Sequence, residues 1–130
     1  MIKGLDHVGI AVGDLGRSLA FYRDRLGFVV VDEFDVPQFK LRVVFLKAGN
    51  GMIELLDYQA KEGFQKPSPS LLGLRHITVL VEDLDGAYEK LKEEGFTFTR
   101  APTVILPGRI RNAFLLGPDG ELVELIERRG

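Results

Sequence analysis

Cysteine is absent from the 130 residues. That removes thiol nucleophiles, disulfide frameworks and cysteine-ligated zinc or iron–sulfur centres. No apolar run approaches membrane-spanning length, and Met1-Ile2-Lys3-Gly4-Leu5-Asp6 lacks the basic-then-apolar pattern of a signal peptide. The expected location is therefore the cytoplasm, with no membrane partner. An excess of either charge is also missing: 17 basic and 19 acidic residues are scattered along the chain for a net charge of −2. Without a basic stripe, nucleic acid is a poor candidate partner. The 45% hydrophobic share argues against disorder. A chain of this length buries roughly two-thirds of its unfolded surface and needs neither a disulfide nor a structural metal to fold.

What is present is a repeat. Leu5-Asp-His-Val-Gly-Ile-Ala-Val-Gly-Asp-Leu15 aligns without a gap with Leu74-Arg-His-Ile-Thr-Val-Leu-Val-Glu-Asp-Leu84. Gly51-Met-Ile-Glu-Leu-Leu56 later aligns with Gly120-Glu-Leu-Val-Glu-Leu-Ile126, one extra residue having entered between. A long period present only twice indicates a duplicated module and not a solenoid. In each copy β-branched runs at 5–12 and 74–81 predict strands. Asp14 and Asp83 then occupy helix N-cap positions, apolar residues follow at helical spacing, and Gly27 and Gly95 close the helices. Strands are predicted at 28–35, 41–48 and 51–58, then at 96–101, 110–116 and 121–128. Asn50-Gly51 and Asp119-Gly120 are placed as hairpin turns before the last strand of each copy. Domain boundaries follow as 1–58 for the first module, 59–73 for a polar, proline-bearing linker and 74–130 for the second module, within one compact domain. The expected fold class is α+β: two βαβββ modules forming a cupped mixed sheet around a metal cleft. A four-stranded sheet with one helix is small for a closed core, so the copies are expected to pair through their sheets, within one chain or across a homodimer.

Both histidines of the chain, His7 and His76, fall at the same place in the two copies. By strand alternation His7 shares a face with Leu5, Gly9 and Ala11, and His76 with Thr78 and Leu80, opposite the all-aliphatic face suited to the helix. Glu54 and Glu124 are each embedded among four apolar residues, where a carboxylate is costly unless something pairs with it. Duplicate placement of both residue types makes His7, Glu54, His76 and Glu124 a candidate ligand set. Two imidazoles and two carboxylates without thiolate suit one divalent transition metal: Ni, Co, Zn, Fe or Mn. Such a centre acts as a Lewis acid on a carbonyl and stabilises an enediolate as the adjacent C–H is removed. Glu124 is the first candidate for the ligand that doubles as base, and Glu54 the second. Arg109 and Arg111 are candidates for holding an anionic group of a small-molecule substrate.

These residues resemble the vicinal oxygen chelate superfamily, which includes glyoxalase I, methylmalonyl-CoA epimerase, extradiol dioxygenases and the fosfomycin and bleomycin resistance proteins. The resemblance is carried by Leu5-Asp-His-Val-Gly-Ile-Ala-Val, Ser18-Leu-Ala-Phe-Tyr-Arg-Asp-Arg-Leu-Gly-Phe28, Ile53-Glu-Leu-Leu56, Leu74-Arg-His-Ile77 and Gly117-Pro-Asp-Gly-Glu-Leu-Val-Glu-Leu-Ile126. It implies that His7, Glu54, His76 and Glu124 are the four metal ligands. A full His, Glu, His, Glu set looks like glyoxalase I, a lactoylglutathione lyase. Epimerases typically carry glutamine where Glu54 stands, although the first half is otherwise epimerase-like. Dioxygenases and fosfomycin-modifying members use only the positions of His7, His76 and Glu124. A metal-free drug-binding module is the alternative from a different class, and the intact ligand set counts against it. The second half departs from both leading families at Pro107-Gly-Arg-Ile-Arg-Asn-Ala-Phe114, which offers no clear match to a glutathione or coenzyme A site, so the resemblance does not name the substrate.

Overall fold

The computed structural model describes residues 1–64, 68 and 70–129. Their contacts cluster into two units, Met1–Gly63 and Phe64–Gly130. Of the expected linker, residues 65–67 and 69 lie outside the described residues.

The first unit is β1 (Val8–Ala11), α1 (Leu15–Leu19), β2 (Val29–Val36), β3 (Leu41–Ala48) and β4 (Gly51–Tyr58). The second repeats it as β5 (Ile77–Leu80), α2 (Leu84–Glu93), β6 (Phe98–Leu106), β7 (Ile110–Leu116) and β8 (Leu122–Arg128). The sheet orders are β1-β4-β3-β2 and β5-β8-β7-β6. The first and last strands of each module pair in parallel, and the remaining pairs are antiparallel. The βαβββ reading of each half therefore holds. Asp14 and Asp83 cap their helices by accepting from the backbone N–H of Arg17 and Gly86. Gly27 and Gly95 leave the helices at φ +80° and +95°, a conformation costly for any side chain.

Several local features differ from expectation, β6 among them, which runs on to Leu106. The first helix is α-helical only over Leu15–Leu19 and continues as a π-helix over Ala20–Arg25, with the Leu26 N–H donating to the Phe21 carbonyl at 2.9 Å. A wider turn narrows the angle between successive side chains, and neighbouring Phe21 and Tyr22 are both buried with their rings edge to face at 4.8 Å. The first hairpin turns on Gly49-Asn50 and not on Asn50-Gly51: Gly49 alone takes positive φ, at +59°. Glycine at the first of two central positions is the type II′ arrangement, which suits the strand twist. In the second module the equivalent connection is a longer loop over 117–121, closed by the Gly117 N–H donating to the Glu121 carbonyl at 2.7 Å. This loop holds the extra residue of the repeat. The strands β1 and β5 are also shorter than predicted, starting one residue after each histidine.

One face of each sheet supplies most of the core. In the first module it buries Val44, Leu46, Ile53 and Leu55 together with Phe21, Tyr22 and Phe28; in the second it buries Ala113, Leu115, Val123 and Leu125 together with Leu84 and Leu91. Two small cores each depend on few side chains. Leu55→Ala and Leu125→Ala are each expected to cost about 2–5 kcal/mol, read as a lower urea midpoint at unchanged slope.

Candidate metal centre

Strand pairing builds a His–Glu pair in each module. Gly9 lies opposite Glu54 on the parallel neighbour, and Thr78 opposite Glu124. The histidine two residues earlier shares that face, so its ring lies over the carboxylate. His7 Nε2 is 3.2 Å from Glu54 Oε1, and His76 Nε2 is 3.0 Å from Glu124 Oε1. An aromatic ring braces each imidazole edge to face: Phe45 at 4.9 Å from His7 and Phe114 at 5.2 Å from His76. Phe45 pairs in register with Glu54, and Phe114 with Glu124, so ring and carboxylate share one face.

These spacings fit a shared cation. Two ligand atoms at right angles on a metal, each with a bond of about 2.1 Å, stand about 3.0 Å apart. The Nδ1 of His7 lies 2.7 Å from Asp6 Oδ2, which directs Nε2 to present its lone pair when neutral. Glu124 is held more firmly than Glu54. Thr78 Oγ1 donates to Glu124 Oε1 at 2.9 Å and Asn112 Nδ2 to Oε2 at 2.7 Å. The Arg100 guanidinium donates to the Asn112 side-chain oxygen and stacks over Phe114, 4.9 Å from the ring centroid. Among the described residues, no group of three or more His, Asp and Glu side chains has metal-holding geometry; each module offers one His–Glu pair.

The family model described as the Glyoxalase/Bleomycin resistance protein/Dioxygenase superfamily matches residues 4–125. The chain belongs to this superfamily. It is 32% identical over 125 residues to a probable lactoylglutathione lyase of Synechocystis sp., covering 93% of this chain and 92% of the relative. It is 39% identical over 99 residues to an ethylmalonyl-CoA/methylmalonyl-CoA epimerase of Cereibacter sphaeroides, covering 73% of each. A glyoxalase family protein from Enterococcus faecalis has a similar structure, with a TM-score of 0.81 at 29% identity, covering 96% of this chain and 98% of that one.

In this member of the superfamily the two candidate substrate arginines are not brought to Glu124. Arg111 pairs in register with Glu127, on the opposite face of β8 from Glu124. There it donates to both carboxylate oxygens of Asp85 at 2.8 and 3.0 Å, which ties β7 to α2. Arg109 lies in the turn before β7, five residues from Phe114, or about 17 Å along a strand. Arg100 is the arginine that shares Glu124's face, through its register with Phe114. The sequence does not single it out, because the face of Arg100 depends on the β6–β7 register, which strand alternation alone does not give. Glu127, also not singled out, is a buried acceptor for the Leu84 N–H at 3.0 Å and anchors the start of α2. A separate cleft of about 620 Å³ lies at the far end of β3 and β4 and contains none of the four candidate ligands. Its Arg42 and Lys61 are paired with Asp35 and Asp57.

The hydrogen bond to Asp6 raises the His7 pKa above the ordinary 6.5; burial opposes the rise and Glu54 adds to it. Because the folded state favours the imidazolium, this contribution to stability is fully present below the unfolded pKa and is lost as pH rises through the higher folded value. In metal-free protein an NMR titration of the His7 ring is expected to give a midpoint above 6.5, and Asp6→Asn to lower it. An unchanged midpoint in that variant would assign the rise to Glu54 instead.

Proposed function

We propose that the chain is a divalent-metal-dependent lyase or isomerase of glyoxalase I type, acting as a homodimer on a small carbonyl or thiohemiacetal substrate. His7, Glu54, His76 and Glu124 are its metal ligands. The observation that supports this most is the imidazole–carboxylate pair built twice, at 3.2 and 3.0 Å, each on the sheet face opposite most of the buried aliphatic residues. The donor set fits Ni, Co, Zn, Fe or Mn. When bound, such an ion supplies Lewis-acid polarisation of a substrate carbonyl.

The chain's own residues supply the rest. The partly buried carboxylates of Glu54 and Glu124 are the candidate proton carriers, each beside the histidine of its own module. Phe45 and Phe114 keep one side of each imidazole apolar. Arg100, on the Glu124 face, replaces Arg109 and Arg111 as the cation nearest in register to that carboxylate.

A second reading, epimerisation of an acyl-CoA thioester, is favoured by the 39% identity to the ethylmalonyl-CoA/methylmalonyl-CoA epimerase. Glu54 separates the two, because glutamine at this position ligates an ion but accepts no proton. Elemental analysis of untagged protein is expected to find about one transition-metal ion per four-ligand set, lost in a His7→Ala/His76→Ala variant. Turnover is then expected with a glutathione hemithioacetal, and to fall about 100-fold or more in Glu54→Gln. Turnover of an acyl-CoA epimer that survives Glu54→Gln would establish the epimerase instead. A wild type that takes up none of the five metals after reconstitution would remove both readings.

A further inference from the structure

We propose that the cleft at the end of β3 and β4 is a second ligand site of the first module, built for a small organic carboxylate with Lys40 as its counter-ion. The cleft has a volume of about 620 Å³, within the range of small-molecule pockets, and every residue lining it belongs to the first module. Arg42 and Asp57, which line it, pair in register and share the sheet face of buried Val44 and Leu55, opposite that of Glu54. The site is therefore apart from the candidate metal centre, and the inference does not depend on that reading.

The duplication supplies the comparison, each module being read by itself. Arg42, Asp57 and Gly16 stand in the repeat where the second module has Arg111, Glu127 and Asp85. In the second module the arginine is tied to the helix start. Arg111 donates to both oxygens of Asp85, and Glu127 accepts from the Leu84 N–H and lies 3.0 Å from Arg129. Gly16 offers no carboxylate, so Arg42 turns to the neighbouring strand and donates to Asp35 at 3.0 Å and to Glu33 at 3.2 Å. Neutral Gln59 stands where Arg129 would, and Lys61 instead bridges Asp57 at 2.6 Å and the Gly13 carbonyl at 2.8 Å. The network that joins arginine to helix in one module is thus not made in the other.

Lys40 is the residue this arrangement leaves unused. Among the described residues it is the only non-glycine with positive φ, at +48°, a conformation that costs any residue with a side chain. The turn itself does not demand it. Lys40 N–H donates to the Pro37 carbonyl at 3.0 Å, as Arg109 N–H in the same place of the second module donates to the Leu106 carbonyl at 3.0 Å. The carbonyls of Lys40 and Arg109 also accept alike, from the N–H groups of Gln59 and Arg129. Yet in the second module the positive φ falls on Gly108 and not on the basic residue. A strain retained where a glycine would relieve it points to the side chain that it places. Three cations and two carboxylates line the cleft; Asp35 is paired with Arg42 and Asp57 with Lys61. Lys40 has no such partner among the described residues, so one positive charge is left over. That charge selects a monoanion. Pro37, Leu41 and Tyr58 line the same cleft and offer apolar contact, which suits a carboxylate carried on an apolar body.

The full chain tests this without added metal, with benzoate as the probe and benzamide as its uncharged counterpart of like shape. In a 15N-amide titration benzoate is expected to give saturable shifts at Lys40, Tyr58 and Gln59 in the millimolar range or tighter, and benzamide to bind about 10-fold more weakly or less. Lys40→Gln is expected to weaken benzoate about 10-fold. Lys40→Gly is expected to weaken it equally while leaving the urea midpoint unchanged or higher, because glycine takes the turn conformation without strain. That combination separates a lysine kept for binding from one kept for the turn. Benzoate that gives no saturable shift at these amides, that binds no tighter than benzamide, or that binds both variants as it binds the wild type overturns the inference. None of these outcomes bears on the metal centre, whose test is metal uptake.

Discussion

The parallel pairing of the first strand of each module with its last is the constraint on which the site depends. These strands are far apart in sequence, yet β1 against β4 and β5 against β8 set Gly9 beside Glu54 and Thr78 beside Glu124. With that register, the histidine two residues upstream falls over the carboxylate. A slip of one residue would send the glutamate to the helix face and its aliphatic neighbours to the site face. Such a slip is resisted by the core itself. Ile53 and Leu55, which flank Glu54, are buried, as are Val123 and Leu125, which flank Glu124. The apolar residues that make the glutamates look misplaced in the sequence are thus the ones that aim them.

Burial sets the electrostatics of each pair. Glu124 keeps only 10% of its side chain exposed, and Glu54 18%. A carboxylate so far removed from water is unfavourable unless hydrogen bonds or a cation replace its hydration. The second module meets this with neutral donors, Thr78 and Asn112, whereas the first has the His7 ring backed by the exposed Asp6. Where Asp6 stands, the second module has Arg75, whose guanidinium donates to the Ser68 carbonyl at 2.9 Å. Each pair is therefore held at one member: the imidazole in the first, the carboxylate in the second.

Much of this was legible because the chain carries its own comparison. Repetition of His, of Glu and of the intervening β-rich segments marked the modules, and alternation placed both histidines opposite the aliphatic face. What escaped was whatever depends on register between strands not joined by a tight turn. Arg111 looked like a site residue while its partner across the sheet was unknown; opposite Glu127 it belongs to the helix face. Arg100 and Asn112 looked like ordinary polar residues for the same reason. The π-helical turn and the Gly49-Asn50 turn were missed because propensity rules describe regular elements. Two adjacent aromatics both needing burial, or one glycine preceding Asn-Gly, shift the backbone locally.

Membership of the superfamily follows from a match spanning nearly the whole chain, but it does not select a reaction, since the matching relatives include both a lyase and an epimerase by name. The selective features are places where the two modules disagree on a shared frame. A duplicated fold begins with two equivalent His–Glu pairs. Glycine against threonine, valine against asparagine and aspartate against arginine each change whether the histidine or glutamate of a pair has a hydrogen-bond partner behind it. Divergence at these positions leaves most of the common core untouched, since most of its side chains use the other face of each sheet. The same backbone can thus retain its stability while the chemistry of its two halves separates.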